Sequence, residues 1–551
     1  MVSAELHLQP DPSRYTLPRF LDDVAERHRP RVALRFEGKS TSYAELRAAA
    51  RRIAKGLVAR GVGKGTRVAV LIANRPEWVT AVFGAALTGA VVVPVNTFAT
   101  PDELDYVLRH SDAAWLLLQP NVARHAFQGD LLARHPEIAG AKPGAIRCAA
   151  LPQLRGIVAL GREWDALLAA GADVSDALLD AISSEIHPAD DALVIYTSGT
   201  TARPKGVAHR QRTPVIQGWR FAELMGFTPE DRVYTAYPFF WTAGIAMALG
   251  ATLAAGATLV LHEIFEPGEA LALAARERAT SLQVWPHQAK AMAEHPDAAR
   301  TDLSSVRKIE FGSALAKLAG LEKDEWGIYA SYGLSETFTL ATALPAATPP
   351  ARRKGTNGPA LPGTELRIVD PHTGVVLPPG EKGEIAVKGL TLMSGYAKVE
   401  PELVLDADGF FHTQDGGTLD ASGDLHWTGR LSNLIKTGGA NVSPLEIEER
   451  AGRFAGVRSA HALGVPHPTL GEAIVLCVVP TEGARVDVPG LEAFLREALS
   501  AYKLPRAVFV LGRDEVSYTG SQKVQVDPLR ERALAKLCAA HTTVAGYRYS
   551  R

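Results

Sequence analysis

Residues 196–206, YTSGTTARPKG, combine the chemical groups that bind a chain of phosphates. Backbone amides made accessible by Gly199 and Gly206, short hydroxyl side chains and the cation of Lys205 suit several phosphate oxygens at once. A polar surface loop would account for the glycines and hydroxyls alone, but Pro204-Lys205-Gly206 at this spacing favours a phosphate-binding loop. The candidate ligands are Thr197, Ser198, Gly199, Thr200, Thr201 and Lys205.

A second group of candidate residues lies in YGLSET, residues 332–337. The ring of Tyr332 can stack on a purine base. Glu336 offers carboxylate oxygens of the kind that bind Mg²⁺ on a triphosphate, and Thr337 offers a hydroxyl to the same phosphates. By itself the segment is more simply a turn that contains a glutamate, so its interpretation depends on the phosphate loop that precedes it.

Three further charged residues can contact a nucleotide. Asp415 ends FFHTQD and Arg430 ends HWTGR. A carboxylate accepts two hydrogen bonds from a ribose diol, and an arginine donates to the sugar or to a phosphate. Lys523 lies in the polar stretch SYTGSQKVQ, residues 517–525. Each of the three is also compatible with an ordinary surface charge.

These motifs require a scaffold, and the sequence predicts a parallel sheet covered by helices. Strand patterns at 67–72, 91–95 and 115–118 alternate with helix patterns near 77–88 and 101–110. Similar alternation runs through 233–340, and short strands and turns follow around 383–430. Beyond Arg430 the pattern predicts a smaller α+β unit. Its expected elements are a helix at 444–450, strands at 460–465 and 472–479, and helices near 488–501 and 527–538, with 539–551 unassigned.

Composition indicates a soluble globular protein of more than one domain. The chain has 551 residues, 46% of them apolar, and a formal charge of −1, which argues against a nucleic-acid binder acting through bulk electrostatics. Three widely spaced cysteines, Cys148, Cys477 and Cys538, show no disulfide or zinc pattern. The uncharged run 244–261 predicts a buried helix and strand rather than a membrane span. The N-terminus MVSAELHLQPDPSRY has no apolar core, so a cytoplasmic location is expected.

In this order the motifs resemble those of the adenylate-forming superfamily, which includes acyl-CoA synthetases, peptide-synthetase adenylation domains and luciferases. The loop differs from the usual P-loop, because Gly206 rather than Ser or Thr follows the lysine. The resemblance covers nearly the whole chain and implies an α/β fold. A large N-terminal body, residues 1–430, would hold mixed sheets packed with helices and a β-rich segment. A small mobile α+β domain, residues 431–551, would turn about a hinge near 430–433.

The resemblance also implies roles for individual residues. Lys523, Glu336, Thr197 and Lys205 are the expected catalytic residues, with Glu336 as the metal ligand, Lys523 stabilising charge during attack on the α-phosphate and Ser432 at the hinge. Nucleotide contacts are expected from Thr197, Ser198, Gly199, Thr200, Thr201, Lys205, Gly312, Ser313, Ala314, Ser331, Tyr332, Gly333, Thr337, Asp415, Arg430 and Lys523. The segments PFFWTAG and EFGSAL resemble acyl-pocket motifs, with Phe239, Phe240, Trp241, Gly244, Met247 and Phe311. The run GGANVSPLEIE resembles that of the CoA ligases, with a CoA tunnel at Gly438, Gly439 and Trp241.

The implied activity is that of an AMP-forming acyl-CoA synthetase using ATP, Mg²⁺ and CoA on an aromatic, alicyclic or medium-chain carboxylic acid. One alternative is an adenylating ligase whose acceptor is an amine or a carrier-protein thiol. The other is a non-catalytic nucleotide- or acyl-binding relative, suggested by Ala202, Asn433 and Gln522, where the family more often has other residues. The expected partners are small molecules, not nucleic acid or an integral membrane, and a homodimer stays open.

Overall fold

The computed structural model of the protein describes residues 15–197, 204–328, 330–431, 435–437, 440–499, 503–518 and 524–550. In these ranges the α-helices, numbered α1–α16 in chain order, are Leu17–Arg27, Tyr43–Ala59, Pro76–Leu87, Pro101–His110, Phe127–Arg134, Arg162–Ala170, Asp176–Ser184, Arg212–Leu224, Ala251–Ala254, Pro267–Arg276, Pro286–Ala293, Ala314–Leu318, Pro350–Arg353, Pro444–Ala451, Val488–Arg496 and Val526–Ala539. A π-helix spans Gly244–Gly250, and short 3-10 turns span Pro136–Ile138, Ala298–Arg300, Ser335–Thr337, Pro401–Leu403 and Arg513–Glu515.

The strands of the same ranges are numbered β1–β25. They are Val32–Phe36, Lys39–Ser42, Arg67–Leu71, Val91–Pro94, Trp115–Leu118, Gly156–Ala159, Asp191–Thr197, Lys205–Arg210, Arg232–Thr235, Thr258–Leu261, Ser281–Gln283, Ser331–Tyr332, Thr342–Ala343, Thr364–Val369, Gly383–Gly389, Gly395–Tyr396, Phe411–Leu419, Leu425–Arg430, Ile435–Thr437, Ala440–Val442, Val457–His467, Gly471–Pro480, Ala507–Val510, Thr543–Val544 and Tyr547–Arg548.

A seven-stranded sheet carries the predicted phosphate loop. Its strand order is β16-β8-β7-β4-β3-β5-β6. The five strands from β7 to β6 run parallel, whereas β8 is antiparallel to β7 and β16 is antiparallel to β8. Strands β4 and β5 are buried along their whole length, as expected of parallel strands covered on both faces. The predicted alternation of strands and helices between residues 67 and 118 is confirmed.

A five-stranded sheet of order β11-β9-β10-β1-β2 forms the second layer. One apolar core, shared by both sheets, contains side chains of α1, α2, α3, α8 and the π-helix. The opposite face of the seven-stranded sheet packs on α4 and α5, and the opposite face of the five-stranded sheet packs on α10, α11 and α12. Helices therefore cover both sheets, which makes this part of the chain an α/β structure.

The uncharged run 244–261 is a buried helix followed by a buried strand, as predicted. The π-helix Gly244–Gly250 continues into α9, and β10 follows. In the described part of the chain, none of the helices is both long enough and apolar enough to cross a membrane.

The last third of the chain contains the predicted β-rich segment and an α+β unit. Strands β14-β15-β17-β18 form a four-stranded sheet. Strands β20-β19-β22-β21 form another sheet, in which β23 runs parallel to β22, and α14, α15 and α16 pack on it. The predicted elements are present, although α15 ends at Arg496 rather than at 501. The unassigned tail forms a β24–β25 hairpin, and Tyr549 after it donates to Pro466 O at 2.9 Å.

Backbone contacts divide the chain into two compact units. The first comprises residues 1–366 and 387–411, and the second comprises residues 367–386 and 412–551. The α/β fold class with a large N-terminal body and a smaller C-terminal part is confirmed. The predicted boundary at 430 stays a prediction.

Candidate active site

The ends of the predicted phosphate loop are held by paired strands. Thr197 at the end of β7 lies opposite Lys205 at the start of β8. On the far side of the loop, the carbonyl of Pro204 accepts a hydrogen bond of 3.0 Å from the hydroxyl of Tyr106 on α4. A Cβ atom on Gly206 would lie 2.9 Å from Cγ1 of Val194, so any larger residue would force this packing to shift. Residues 198–203, which include the predicted ligands Ser198, Gly199, Thr200 and Thr201, lie outside the described residues.

His110 on α4 contacts strand β7 just before the predicted phosphate loop. The hydroxyl of Tyr196 lies 2.8 Å from Nδ1 of His110 on α4. Burial and the positive charge of Lys398 lower the pKa of His110. An uncharged imidazole can accept a hydrogen bond from the phenol hydroxyl, and this contact connects β7 to α4 immediately before Thr197.

Glu336 lies in a tight turn between β12 and β13. Its backbone carbonyl accepts a hydrogen bond of 2.7 Å from the amide of Met393. The hydroxyl of Thr337 accepts from the amide of Leu334 at 3.0 Å and donates to the carbonyl of the same residue at 3.1 Å. In this structure the Thr337 side chain therefore closes the turn that carries Glu336, and its predicted contact with phosphates stays a prediction.

The Glu336 carboxylate and the Lys205 ammonium group both contact Tyr396, the first at its hydroxyl and the second at its ring. The Tyr396 hydroxyl donates to Oε1 of Glu336 at 2.7 Å. Nζ of Lys205 lies 4.9 Å from the centroid of the Tyr396 ring, a cation–π distance. Strand β16 places Tyr396 there by pairing opposite Val207 on β8. The structure thus brings two predicted site residues together through a third that the sequence did not indicate, because Tyr396 is 60 positions from Glu336.

The predicted adenine segment is tightly packed. Tyr332 on β12 is 7% exposed, and Ser331 accepts a hydrogen bond of 2.9 Å from the side chain of Asn357 through its carbonyl. A side chain on Gly333 would come within 2.1 Å of the carbonyl of Thr339, which explains the glycine. These contacts therefore fix the backbone conformation of residues 331–333.

Asp415 and Arg430 are paired with each other. They face each other across β17 and β18, and Nε of Arg430 lies 3.0 Å from Oδ1 of Asp415. Nη1 of Arg430 also donates to the carbonyl of Thr413 at 3.2 Å. The Asp415 side chain is 6% exposed and that of Arg430 is 41% exposed. The ion pair fixes the carboxylate in one orientation, which a ribose contact would need.

Gln414, which precedes this aspartate, has a backbone conformation that favours glycine. Its φ is 61°, in the left-handed region. The Gln414 amide donates to Oε1 of Glu384 at 2.7 Å, and Oε2 of Glu384 contacts Nδ1 of His412 at 3.0 Å. Glycine would adopt this positive φ without strain, whereas glutamine does so at a cost.

The aromatic residues after β9 divide between core and surface. Phe239 is 1% exposed and packs on Trp78, with ring centroids 4.9 Å apart. Phe240 contacts Trp241 at 5.0 Å and Phe98 at 5.8 Å, both edge-on. Phe98 is 53% exposed and Trp241 is partly exposed, so this second cluster reaches the surface.

The other residues predicted for the acyl pocket, Gly244, Met247 and Phe311, differ in burial. Gly244 begins the π-helix and Met247 lies within it, in the same core as Phe239. Phe311 is 36% exposed. After Gly312, the Ser313 hydroxyl accepts from the amide of Ala316 at 3.2 Å and caps α12, which begins at Ala314. Their pocket and nucleotide roles stay predictions.

Four further predicted site residues, Lys523, Ser432, Gly438 and Gly439, lie outside the described residues. The strands next to the two glycines pair with each other, with Thr437 opposite Ala440.

Two family models match this chain over most of its length. The model described as AMP-binding enzyme matches residues 21–397, and the model described as AMP-binding enzyme C-terminal domain matches residues 446–523. The chain belongs to the AMP-binding enzyme family. This membership confirms the predicted resemblance to the adenylate-forming superfamily.

Individual relatives cover almost the whole chain. A feruloyl-CoA synthase from Amycolatopsis sp is 34% identical over 91% of this chain and 96% of that protein. The crystal structure of ATP-bound MatB from Rhodopseudomonas palustris is 29% identical, with a TM-score of 0.76 over 94% of this chain and 98% of that one. The amide bond synthetase McbA from Marinactinospora thermotolerans is also 29% identical, with a TM-score of 0.76 over 94% and 99%. The enzyme class predicted from the sequence, an ATP-dependent acid–thiol ligase, is confirmed.

Proposed function

We propose that this chain is an AMP-forming acyl-CoA ligase that activates a bulky apolar carboxylic acid of the aromatic, alicyclic or medium-chain class. The observation that carries the proposal is the arrangement of Glu336, Tyr396 and Lys205 beside the strand ends of the phosphate loop. An oriented carboxylate and a cation next to a run of hydroxyl and glycine residues suit the triphosphate of ATP.

In the first half-reaction, a carboxylate oxygen of the acid attacks the α-phosphorus of ATP. The bond from that phosphorus to the oxygen of pyrophosphate breaks, and an acyl-adenylate forms. Lys205 and the hydroxyls of the loop would hold the outer phosphates, and Lys523 would stabilise the charge that develops at the α-phosphate. Glu336 supplies hard carboxylate oxygens, the donor type that Mg²⁺ prefers. Bound Mg²⁺ would neutralise part of the phosphate charge.

In the second half-reaction, the thiol sulfur of CoA attacks the acyl carbon. The carbon–oxygen bond to AMP breaks, the thiol proton is released, and a thioester and AMP leave. Gly438 and Gly439 would border the path of the pantetheine arm, and Ser432 would act as the hinge between residues 1–430 and residues 431–551. These assignments are supported by the motif GGANVSP and by the match of the C-terminal family model.

Support for the acid class comes from the surface-reaching aromatic cluster. Phe240 and Trp241 offer large apolar area in a cluster that reaches the surface, and pockets for small molecules are commonly lined by such side chains. The relative named as a feruloyl-CoA synthase acts, by its name, on an aromatic acid. We therefore infer that aromatic acids rank first among the candidate substrates.

A second function, amide formation on an amine, is favoured by one observation. The structure of an amide bond synthetase matches this chain as well as that of MatB does. Both functions share the adenylation step, so they differ only in the nucleophile that reacts with the acyl-adenylate.

ATP–pyrophosphate exchange in a panel of carboxylic acids tests the adenylation step. We expect exchange with at least one bulky aromatic or alicyclic acid and little with acetate. Release of AMP is then measured with CoA and, separately, with primary amines. CoA-dependent thioester formation supports the proposal, whereas amine-dependent amide formation without thioester would replace it by the second function. The absence of exchange with every acid would refute both.

The variant Gly439→Leu separates the two half-reactions. A leucine would fill the space through which pantetheine is proposed to pass, so CoA-dependent turnover should fall steeply while pyrophosphate exchange continues. Normal thioester synthesis in this variant would show that the path of CoA lies elsewhere.

A further inference from the structure

One buried side chain of α8 is dedicated to the turn that carries Glu336. Gln217 is fully buried in the middle of α8. Its Nε2 lies within hydrogen-bond distance of three main-chain carbonyls of one segment, those of Thr337 at 2.9 Å, Phe338 at 3.1 Å and Leu340 at 2.9 Å, which share its two N–H groups. A buried amide is destabilising unless it is hydrogen-bonded, and here its whole donor capacity is directed at residues 337–340.

The segment that Gln217 holds has a strained backbone. Phe338 has a φ of 51° and Thr339 a φ of 91°, both in the left-handed region. Such conformations are unfavourable for an aromatic and a β-branched residue, and they persist only where neighbouring structure imposes them. The carbonyls bound by Gln217 belong to the residues just before, within and just after this strained pair.

The orientation of the Gln217 amide is itself set by a neighbour. Arg220 lies one helical turn further along the same face of α8, and its Nη1 lies 3.4 Å from Oε1 of Gln217. The same nitrogen contacts the hydroxyl of Thr391 at 3.3 Å, and Nη2 donates to the carbonyl of Pro362. A cation next to the amide oxygen directs the amide NH₂ group towards the opposite side, where the carbonyls of the turn lie.

The residues immediately before the strained pair are Glu336 and Thr337, so the direction of the Glu336 carboxylate depends on the shape of this turn. We propose that Gln217 is a positioning residue for Mg·ATP, holding the turn at 337–340 so that Glu336 meets the metal and the phosphates. This inference rests on the proposed function, because it assigns Gln217 to the site at which ATP is activated. Gln217 itself need not touch the nucleotide.

The test compares Gln217→Met with a matched control, Thr213→Val. Methionine keeps the length of the side chain but removes the amide. Thr213 lies one turn earlier on the same helix, is equally buried, and has a hydroxyl with no hydrogen-bond partner among the described residues. Thermal melting first shows that each full-length variant is folded. ATP–pyrophosphate exchange is then measured with an acid that the wild type accepts, over a range of Mg²⁺, ATP and acid concentrations.

We expect Gln217→Met to lower kcat/KM for Mg·ATP by about 10- to 100-fold, the size of effect that a misplacement of about 1 Å produces. The Mg²⁺ concentration for half-maximal exchange should rise, while KM for the acid stays within about threefold. Thr213→Val should stay within about threefold of wild type in every parameter. A loss of fold stability alone would not move the Mg²⁺ midpoint and KM for Mg·ATP while sparing KM for the acid.

The outcomes that overturn the inference differ from those that overturn the function. If the wild-type protein shows no pyrophosphate exchange, both the proposed function and this inference are refuted. If the wild type shows exchange and the folded Gln217→Met variant has an unchanged kcat/KM for Mg·ATP and an unchanged Mg²⁺ midpoint, only this inference is refuted. Should the methionine variant not fold, Gln217→Asn, which keeps an amide too short to reach all three carbonyls, makes the same comparison. If neither variant folds, Gln217 serves the fold rather than the site, and the inference is wrong.

Discussion

Replacing His209 with leucine tests a link between pH and stability that the structure places in the sheet of the candidate site. His209 lies on β8, is fully buried, and packs edge-on against Phe338 with ring centroids 4.8 Å apart. Neither of its ring nitrogens makes a hydrogen bond of good geometry among the described residues. Burial lowers the pKa of His209 from 6.5 to about 3, and a weak contact with the backbone of Ser335 opposes this shift only in part.

The sign of the effect follows from this lowered pKa. Between pH 6.5 and pH 3 the unfolded chain binds one more proton at this position than the folded chain does. The stability contributed by neutral His209 is therefore complete above pH 6.5 and is lost as the pH falls towards 3. The slope is about 1.4 kcal/mol per pH unit, which amounts to about 2 kcal/mol at pH 5 relative to pH 8.

The assay is urea unfolding of wild type and His209→Leu at both pH values, followed by tryptophan fluorescence. At pH 8 the variant should be at least as stable as wild type, because leucine has a similar volume and removes two buried nitrogens that lack a hydrogen bond of good geometry. At pH 5 the advantage of the variant should be larger by about 2 kcal/mol. An equal difference at both pH values would refute the reasoning, because His209 would then titrate alike in the folded and unfolded chains.

Four other changes test the site and its scaffold. Tyr396→Phe removes the hydrogen bond to Glu336, and since hydrogen bonds to charged groups contribute about 1.5–3 kcal/mol, kcat/KM for Mg·ATP in pyrophosphate exchange should fall by about 10- to 100-fold. Gln414→Gly relieves the left-handed backbone and should raise the free energy of unfolding in urea by up to about 1 kcal/mol. Lys523→Ala should reduce adenylation by about 10²- to 10³-fold and spare thioester formation from supplied acyl-adenylate. Trp241→Ala should shift the preference in an acid panel towards bulkier acids more than it changes KM for ATP.

Each of these has a contrary result. Tyr106→Phe is a control for Tyr396→Phe, since it also removes one hydroxyl near the loop. An equal fall in kcat/KM for Mg·ATP in both variants would show that the hydrogen bond to Glu336 has no specific effect. If Gln414→Gly lowers the free energy of unfolding, the glutamine side chain stabilises the fold by more than its left-handed backbone destabilises it. Equal loss of both half-reactions in Lys523→Ala, or an unfolded Trp241→Ala protein, would contradict the roles assigned to those residues.

Much of the fold could be predicted because its signals are local. The apolar strands at 67–71, 91–94 and 115–118 and the helices between them follow from periodicity in short windows. The family could be predicted for a similar reason, because the phosphate loop and YGLSET are contiguous motifs. The ends of elements were less accurate, as for α15, which ends at Arg496 rather than at 501.

The sequence by itself determined the chemical inventory of this protein, namely which loops carry hydroxyls, lysine, carboxylates and glycines, and in what order. Only the tertiary structure decided how that inventory is oriented. The contact of Tyr396 with Glu336 spans 60 positions, and those of Gln217 with the turn span 120 to 123. No periodicity or propensity relates residues so far apart, because their contact arises when a helix and two strands pack around one turn. Partners of this kind are set by packing in three dimensions, whereas motifs are set by neighbours along the chain.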